Sequence, residues 1–160
     1  MTAEPFQQID TSFLTLSQWE KLIDGLTVGF STKMGGISSG SFSTLNLGLH
    51  VNDHQESVVK NRGILAAKTS FPINNWVFAE QTHSTHIEKV SKLDCGRGLT
   101  TYDNGLSNCD GFYTNEVGVM LSLCFADCVP LFFIAPEKSL IGVAHAGWKG
   151  TVAKIGPKMV

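Results

Sequence analysis

Between Val117 and Ala135, nineteen consecutive residues carry one charge, Asp127. A run of about twenty apolar residues either crosses a bilayer or lies inside a protein core. A carboxylate at the centre of a span costs about 2.5–3.5 kcal/mol on insertion scales. Pro130 also interrupts the run, and no basic cluster flanks it. The expectation is therefore two buried strands with a turn at Asp127–Pro130, and no membrane partner.

Strand signals continue on both sides of this run. Trp76–Ala79, Thr85–Val90, Val117–Phe125, Leu131–Ile134 and Leu140–Ala144 are short apolar or alternating segments. Turn residues separate most of them, but Lys92–Cys109 is a long polar loop, of a length usually functional or mobile. Upstream, Trp19, Leu22, Ile23 and Leu26 fall on a helical period, with Ser17 as N-cap and Glu20 as its capping-box partner. Val28–Thr32 reads as a strand, Lys33–Thr44 as a loop and Asn46–His50 as extended chain. A second helix is expected over Gln55–Ala67 from Val58, Val59, Ile64 and Leu65. Helices first and strands later predict an α+β fold rather than a βαβ repeat. A length of 160 residues suits a single domain, 1–160. Thr151 onward opens like a helix that Pro157 should disturb, and it reaches Val160 without a stop signal. The chain is therefore expected to be incomplete at its C-terminus.

Charge narrows the partners. Twelve Lys and Arg stand against 14 Asp and Glu, and no basic stripe occurs, so no nucleic-acid partner is expected. Hydrophobic residues make up 42% of the chain, which excludes disorder. The N-terminus lacks a basic region followed by an apolar stretch, so no signal peptide is read. The four cysteines, Cys95, Cys109, Cys124 and Cys128, are accordingly expected as free thiols in a reducing cytosol.

Three residues stand out chemically. His83, Cys128 and His145 each follow an apolar strand and precede small or turn residues. Strand ends gather side chains at a sheet edge. Two imidazoles and a thiolate suit zinc or copper, and three protein ligands leave a fourth position open, as in catalytic zinc sites. Spacings of 45 and 17 residues form no short metal motif, so the reading as a buried thiol and two hydrogen-bonded histidines stays open. So does a Cys–His hydrolase with Cys128 as nucleophile and His145 as base. Cys124 reads as core. His86 should point away from His83 on a strand. A zinc knuckle of Cys95 and Cys109 has no supporting ligands. Gly35-Gly36 beside Lys33 reads as a turn rather than an anion cradle, and no Walker, dinucleotide or nucleophile-elbow motif is present.

Ala126-Asp127-Cys128-Val129-Pro130 followed by Val143-Ala144-His145-Ala146-Gly147-Trp148-Lys149-Gly150 resembles the YfiH/YlmD family, also called the laccase-domain or polyphenol oxidoreductase family. Phe30-Ser31-Thr32-Lys33-Met34-Gly35-Gly36, Leu45-Asn46-Leu47-Gly48, Val58 through Asn61-Arg62, Glu80-Gln81-Thr82-His83 and Cys109-Asp110-Gly111 match its motifs in order, with Lys33 and Thr82 as departures.

The resemblance implies a YfiH-like α+β fold of two packed mixed sheets with flanking helices. It implies zinc, or copper, on His83, Cys128 and His145, the residues that would also carry catalysis. It further implies phosphorolysis of adenosine, inosine and methylthioadenosine, together with adenosine deamination. Other members are described as copper-dependent phenol oxidases or as peptidoglycan-editing factors, and a non-catalytic binding protein is a further alternative. Arg62 would then bind phosphate, or else pair with a carboxylate on a helix surface. Asn46 would hydrogen-bond substrate or fix a turn. Trp148 would stack on a purine or, more in keeping with its type, pack in the core.

Overall fold

The computed structural model describes residues 4–160. Its first elements are strands β1 (Gln7–Asp10), β2 (Phe13–Thr15) and β3 (Gly29–Ser31), an antiparallel meander in which Leu14 pairs with Gln8 and Phe30. Phe13 and Thr15 are buried and Leu14 less so, the alternation of a strand with one face covered. The helix expected from Ser17 to Leu26 is reduced to one turn, α1 (Ser17–Glu20). Leu22 is left 54% exposed while Trp19, Ile23 and Leu26 are half-buried, and a stripe covered only in part does not sustain a short helix. The expected cap is diverted too. Ser17 Oγ donates to the Gln7 side chain, and the Glu20 carboxylate accepts from the Val28 amide.

Helix α2 (Gln55–Thr69) forms where its period predicts and runs two residues further, to a left-handed Ser70. Its buried face is Val58, Asn61, Arg62, Leu65 and Ala66, so two polar residues stand in the inward stripe. The expected Gly35-Gly36 turn is present. A Cβ on Gly36 would lie 2.3 Å from the Thr44 carbonyl oxygen and 2.6 Å from Asn61 Oδ1. These elements form the first of two compact units, which divide between Ser70 and Phe71.

The second unit contains β4 (Trp76–Phe78), β5 (Ile87–Lys89), β6 (Gly111–Thr114), β7 (Met120–Ser122), β8 (Val129–Ala135) and β9 (Leu140–Ala146). β4 and β7 make a parallel pair, and the other four form a mixed sheet in the order β5-β6-β9-β8. The two sheets share a core of Val77, Val90, Cys109, Phe112, Val119 and Val143. Ala144 and Ala146, on the opposite face of β9, pack with Ile155, Leu131, Phe133 and Met159. The near-uncharged run thus becomes β7, a bend at 126–128 and β8, and no helix among the described residues is long and apolar enough to cross a membrane. Pro130 is accommodated because β8 is an edge strand.

The long loop from Lys92 to Cys109 is anchored to β4 and to the residues that follow it. The Gly96 and Leu106 amides donate to the Trp76 and Phe78 carbonyls, the Cys109 amide donates to Glu80, and Leu106 is buried. After β9 come α3 (Trp148–Val152) and α4 (Ile155–Met159), separated by a left-handed Lys154. Pro157 lies in the first turn of α4, where its missing N–H has no intrahelical partner to lose. The α+β class is as expected, with a three-stranded sheet in the first unit and the two core-sharing sheets in the second.

Candidate metal centre

Three separate segments deliver the site. His83 comes from the turn after β4, Cys128 from the bend that leads into β8, and His145 from the penultimate position of β9. One potential ligand atom from each lies within 4.8 Å of the others, and they are the only such group of three or more among the described residues. His83 Nε2 stands 3.9 Å from Cys128 Sγ, and the two imidazole rings meet edge to face with centroids 4.7 Å apart. Tetrahedral zinc with ordinary bond lengths places nitrogen and sulfur ligands about 3.6 Å apart, so this pair is open by only a few tenths of an ångström. His145 is buried against the Phe125 ring, Cys128 is half-buried and His83 is exposed, so the cluster has a closed side and an open side.

Gly147 shapes the floor between them. A Cβ there would lie 2.8 Å from His83 Cδ2 and 3.2 Å from Cys128 Sγ, so a side chain would occupy the space where the ligands converge. Donor chemistry and this cradle both fit a borderline-soft metal ion.

Asp110 was not a candidate from the sequence beyond its motif match. It is fully buried, and its carboxylate receives the amides of Thr82, His83 and Ser84, the Ser84 hydroxyl and His145 Nδ1. Burial alone disfavours its charge, but the bonds from His145, Ser84 and Thr82 outweigh this and hold the carboxyl at about 2. An ionised acceptor at Nδ1 makes that nitrogen the donor and leaves Nε2 of His145 for a metal, the carboxylate–histidine arrangement of many zinc sites. His83 itself has φ 61°, a left-handed conformation that costs a branched or bulky residue roughly 1–2 kcal/mol. The three converging amides hold it there.

Gln81 is the second residue that sequence reasoning passed over. Its amide nitrogen donates to the Cys124 carbonyl at 2.8 Å, and its oxygen accepts from the Cys124 amide at 2.7 Å. This pair of bonds ties the His83 turn to the segment that carries Cys128. Burial pushes the Cys128 thiol above its ordinary range, and the neighbouring Asp127 carboxylate pushes it further. A bare thiolate nucleophile needs the opposite shift.

The remaining candidates fall elsewhere. Cys109 is buried with its thiol on the Gly111 carbonyl, and Cys95 faces the Asn75 carbonyl, so the two build no knuckle. His86 pairs with Glu88 at 2.7 Å. Asn46 and Arg62 belong to the first unit. The Asn46 amide donates to Asp53 at 2.9 Å and its oxygen accepts from the Gly48 amide, which fixes a turn. Arg62 is 2% exposed, not a surface helix residue, and gives two of its donors to the Leu47 carbonyl at 2.9 and 2.7 Å. Trp148 is 73% exposed, which corrects the expectation of a core residue. It opens α3, and Lys149 Nζ lies 5.7 Å from its ring.

Comparison with known proteins decides the family. A family profile described as multi-copper polyphenol oxidoreductase laccase matches residues 27–160. The chain belongs to this laccase family. The family member is 49% identical over 162 residues to purine nucleoside phosphorylase YlmD of Bacillus subtilis strain 168, a match covering 99% of the chain and 58% of that protein. Among solved structures it resembles a hypothetical protein YfiH of Bacillus licheniformis, with a TM-score of 0.93 and 44% identity over 98% of this chain and 57% of that one. YlmD from Geobacillus stearothermophilus superposes equally well, with a TM-score of 0.93, 45% identity and the same coverage. The resemblance to YfiH and YlmD and the shared fold are thus borne out. The laccase-family chain spans a little over half the length of these relatives.

Proposed function

We propose that this chain carries the metal centre of a zinc-dependent purine nucleoside enzyme, with His83, Cys128 and His145 as ligands. Its reactions would be phosphorolysis of adenosine, inosine and methylthioadenosine, and deamination of adenosine. The observation that carries the reading is the cluster itself, three ligand atoms within 4.8 Å with one ring oriented by a buried carboxylate. The phosphorylase names of relatives at 49% identity supply the substrate class.

A bound zinc ion would supply Lewis acidity toward the substrate. The protein's part is positioning. Asp110 holds the His145 proton on Nδ1, so Nε2 keeps its lone pair directed away from the carboxylate. Phe125 packs against the buried His145 ring, and the exposed His83 side would admit a nucleoside. Arg62 would contact the phosphate. Its Nε and one terminal nitrogen donate to the Leu47 carbonyl, which fixes the plane of the guanidinium. Asn46 would contact substrate while it fixes the turn around Gly48. The four thiols are free, which fits the cytosolic setting expected from the sequence.

The family description favours a second reading, a copper-dependent phenol oxidase. Copper binds such a ligand set more tightly than zinc on the Irving–Williams order, so recombinant protein would take it up readily. One three-ligand cluster among the described residues falls short of the several copper centres that four-electron reduction of oxygen requires.

The test combines elemental analysis with incubation of the same sample in adenosine and phosphate, and the products are separated by chromatography. About one zinc per chain, with adenine or inosine formed and both lost in His83→Ala, is the expected result. Zinc without nucleoside turnover would sink the substrate assignment.

A further inference from the structure

We infer that Asp110 is the positioning residue of this centre, because one carboxylate fixes the ring of His145 and the backbone of His83 together and so sets where two of the three ligands converge. The inference rests on the metal reading above and adds to it a residue that acts through the ligands.

Asp110 Oδ1 accepts from the His83 amide at 3.0 Å and from His145 Nδ1 at 2.8 Å, so a single oxygen bridges both ligands. Oδ2 accepts from the Ser84 amide at 2.7 Å, the Ser84 hydroxyl at 2.9 Å and the Thr82 amide at 3.1 Å. Three successive amides converging on one anion form a nest, and the left-handed φ of 61° at His83 is what turns them inward.

The two histidines lack different constraints. The His145 backbone is fixed within β9, opposite Pro130, and its amide donates to the Asp110 carbonyl at 2.7 Å. What remains to be set is its ring, and the Asp110 carboxylate sets it. His83 stands outside any strand, so what needs setting is its backbone, and the same carboxylate sets that. A merely structural buried Asp would satisfy the turn at 82–84 without also taking the ring nitrogen of a ligand.

Asp110→Asn is close to isosteric and separates these roles. With its oxygen at the Oδ1 position, the amide keeps both histidine bonds but turns an NH2 toward the Thr82 and Ser84 amides. Flipped, it turns the NH2 toward His83 and His145. In either orientation donors face a donor, the turn loosens, and β9 stays in place.

The experiment titrates Co²⁺ alone into metal-free wild-type and Asp110→Asn chains, following affinity and the ligand-field spectrum. Nitrogen-15 NMR on the metal-free wild type reads the tautomer of His145. We expect the variant to bind Co²⁺ about 10–100-fold more weakly with an altered spectrum, as losses of outer-shell partners do. The wild-type ring should carry its proton on Nδ1. Equal affinity and an identical spectrum in both proteins would overturn the role of Asp110 and leave the metal site standing. Failure of the wild type itself to bind Co²⁺ would overturn the metal reading and this role with it. If the variant does not fold, the wild-type tautomer decides, and a proton on Nε2 overturns the inference.

Discussion

Gly147→Ala is the most discriminating small change in the site. Gly147 has φ −69° and ψ 171°, extended backbone that alanine adopts without strain. On backbone grounds alone the substitution should stabilise the fold by about 0.4–1 kcal/mol, through the unfolded chain. The added Cβ, however, would lie 2.8 Å from His83 Cδ2 and 3.2 Å from Cys128 Sγ, where ordinary contacts begin near 3.4 Å. Overpacking of this kind costs about 1–3 kcal/mol when neighbours cannot move. The His83 ring is exposed and can swing outward, but its backbone is held by Asp110. Two outcomes follow. If the ring stays, the metal-free protein loses about 1 kcal/mol or more. If it swings, stability is kept and the ligand leaves its place by more than the roughly 0.2 Å that metal bonds tolerate. Both predict zinc affinity at least tenfold lower, equivalent to about 1.4 kcal/mol. Urea unfolding of the metal-free proteins and competition against a zinc chelator measure the two quantities separately. A variant that binds zinc within twofold of the wild type would refute the reasoning, since the cradle would then not define the site.

Three further predictions concern the surroundings. Gln81→Ala removes both bonds to the Cys124 backbone and should lower stability by about 1–2 kcal/mol and weaken zinc binding several-fold, read by the same two titrations. Asn61→Ala should cost the first unit about 2–4 kcal/mol in urea unfolding, because the buried Asn61 amide serves the Ile37 amide, Ser38 Oγ and the Thr44 and Asn46 carbonyls. Burial pushes the Cys109 thiol up to about 11 from an ordinary 9.0. The unfolded chain therefore releases this proton first, and stability should fall as pH rises from 9 to 11, by at most about 3 kcal/mol. Urea midpoints across that window should fall more steeply for wild type than for Cys109→Ala, and parallel curves would contradict the shift.

The three candidate ligands could be picked out because their types are rare in such apolar surroundings and each follows a strand signal. The strand pattern placed them at strand ends, but only the family resemblance grouped them as a ligand set. Asp110 was hidden for a physical reason. Its partners are 26–28 residues away in one direction and 35 in the other, and only the folded sheet brings them to one carboxylate. The burial of Asn61 and Arg62 was concealed similarly, because a hydrophobic period cannot reveal polar residues on a buried helix face. The helix from Ser17 failed because periodicity reports a stripe without reporting whether anything covers it. Its covering is absent at Leu22, and Ser17 and Glu20 found partners at Gln7 and Val28 instead. The loop at Lys92–Cys109 read as functional or mobile from its length, but its backbone bonds tie it to β4 and to Glu80.

X-ray absorption at the zinc edge of the zinc-loaded chain tests the central claim most directly. One sulfur at about 2.3 Å and two imidazole nitrogens at about 2.0–2.1 Å are the expected shell, with the sulfur absent in Cys128→Ser. A shell with no sulfur in the wild type, or one unchanged in Cys128→Ser, would contradict a metal held by His83, Cys128 and His145.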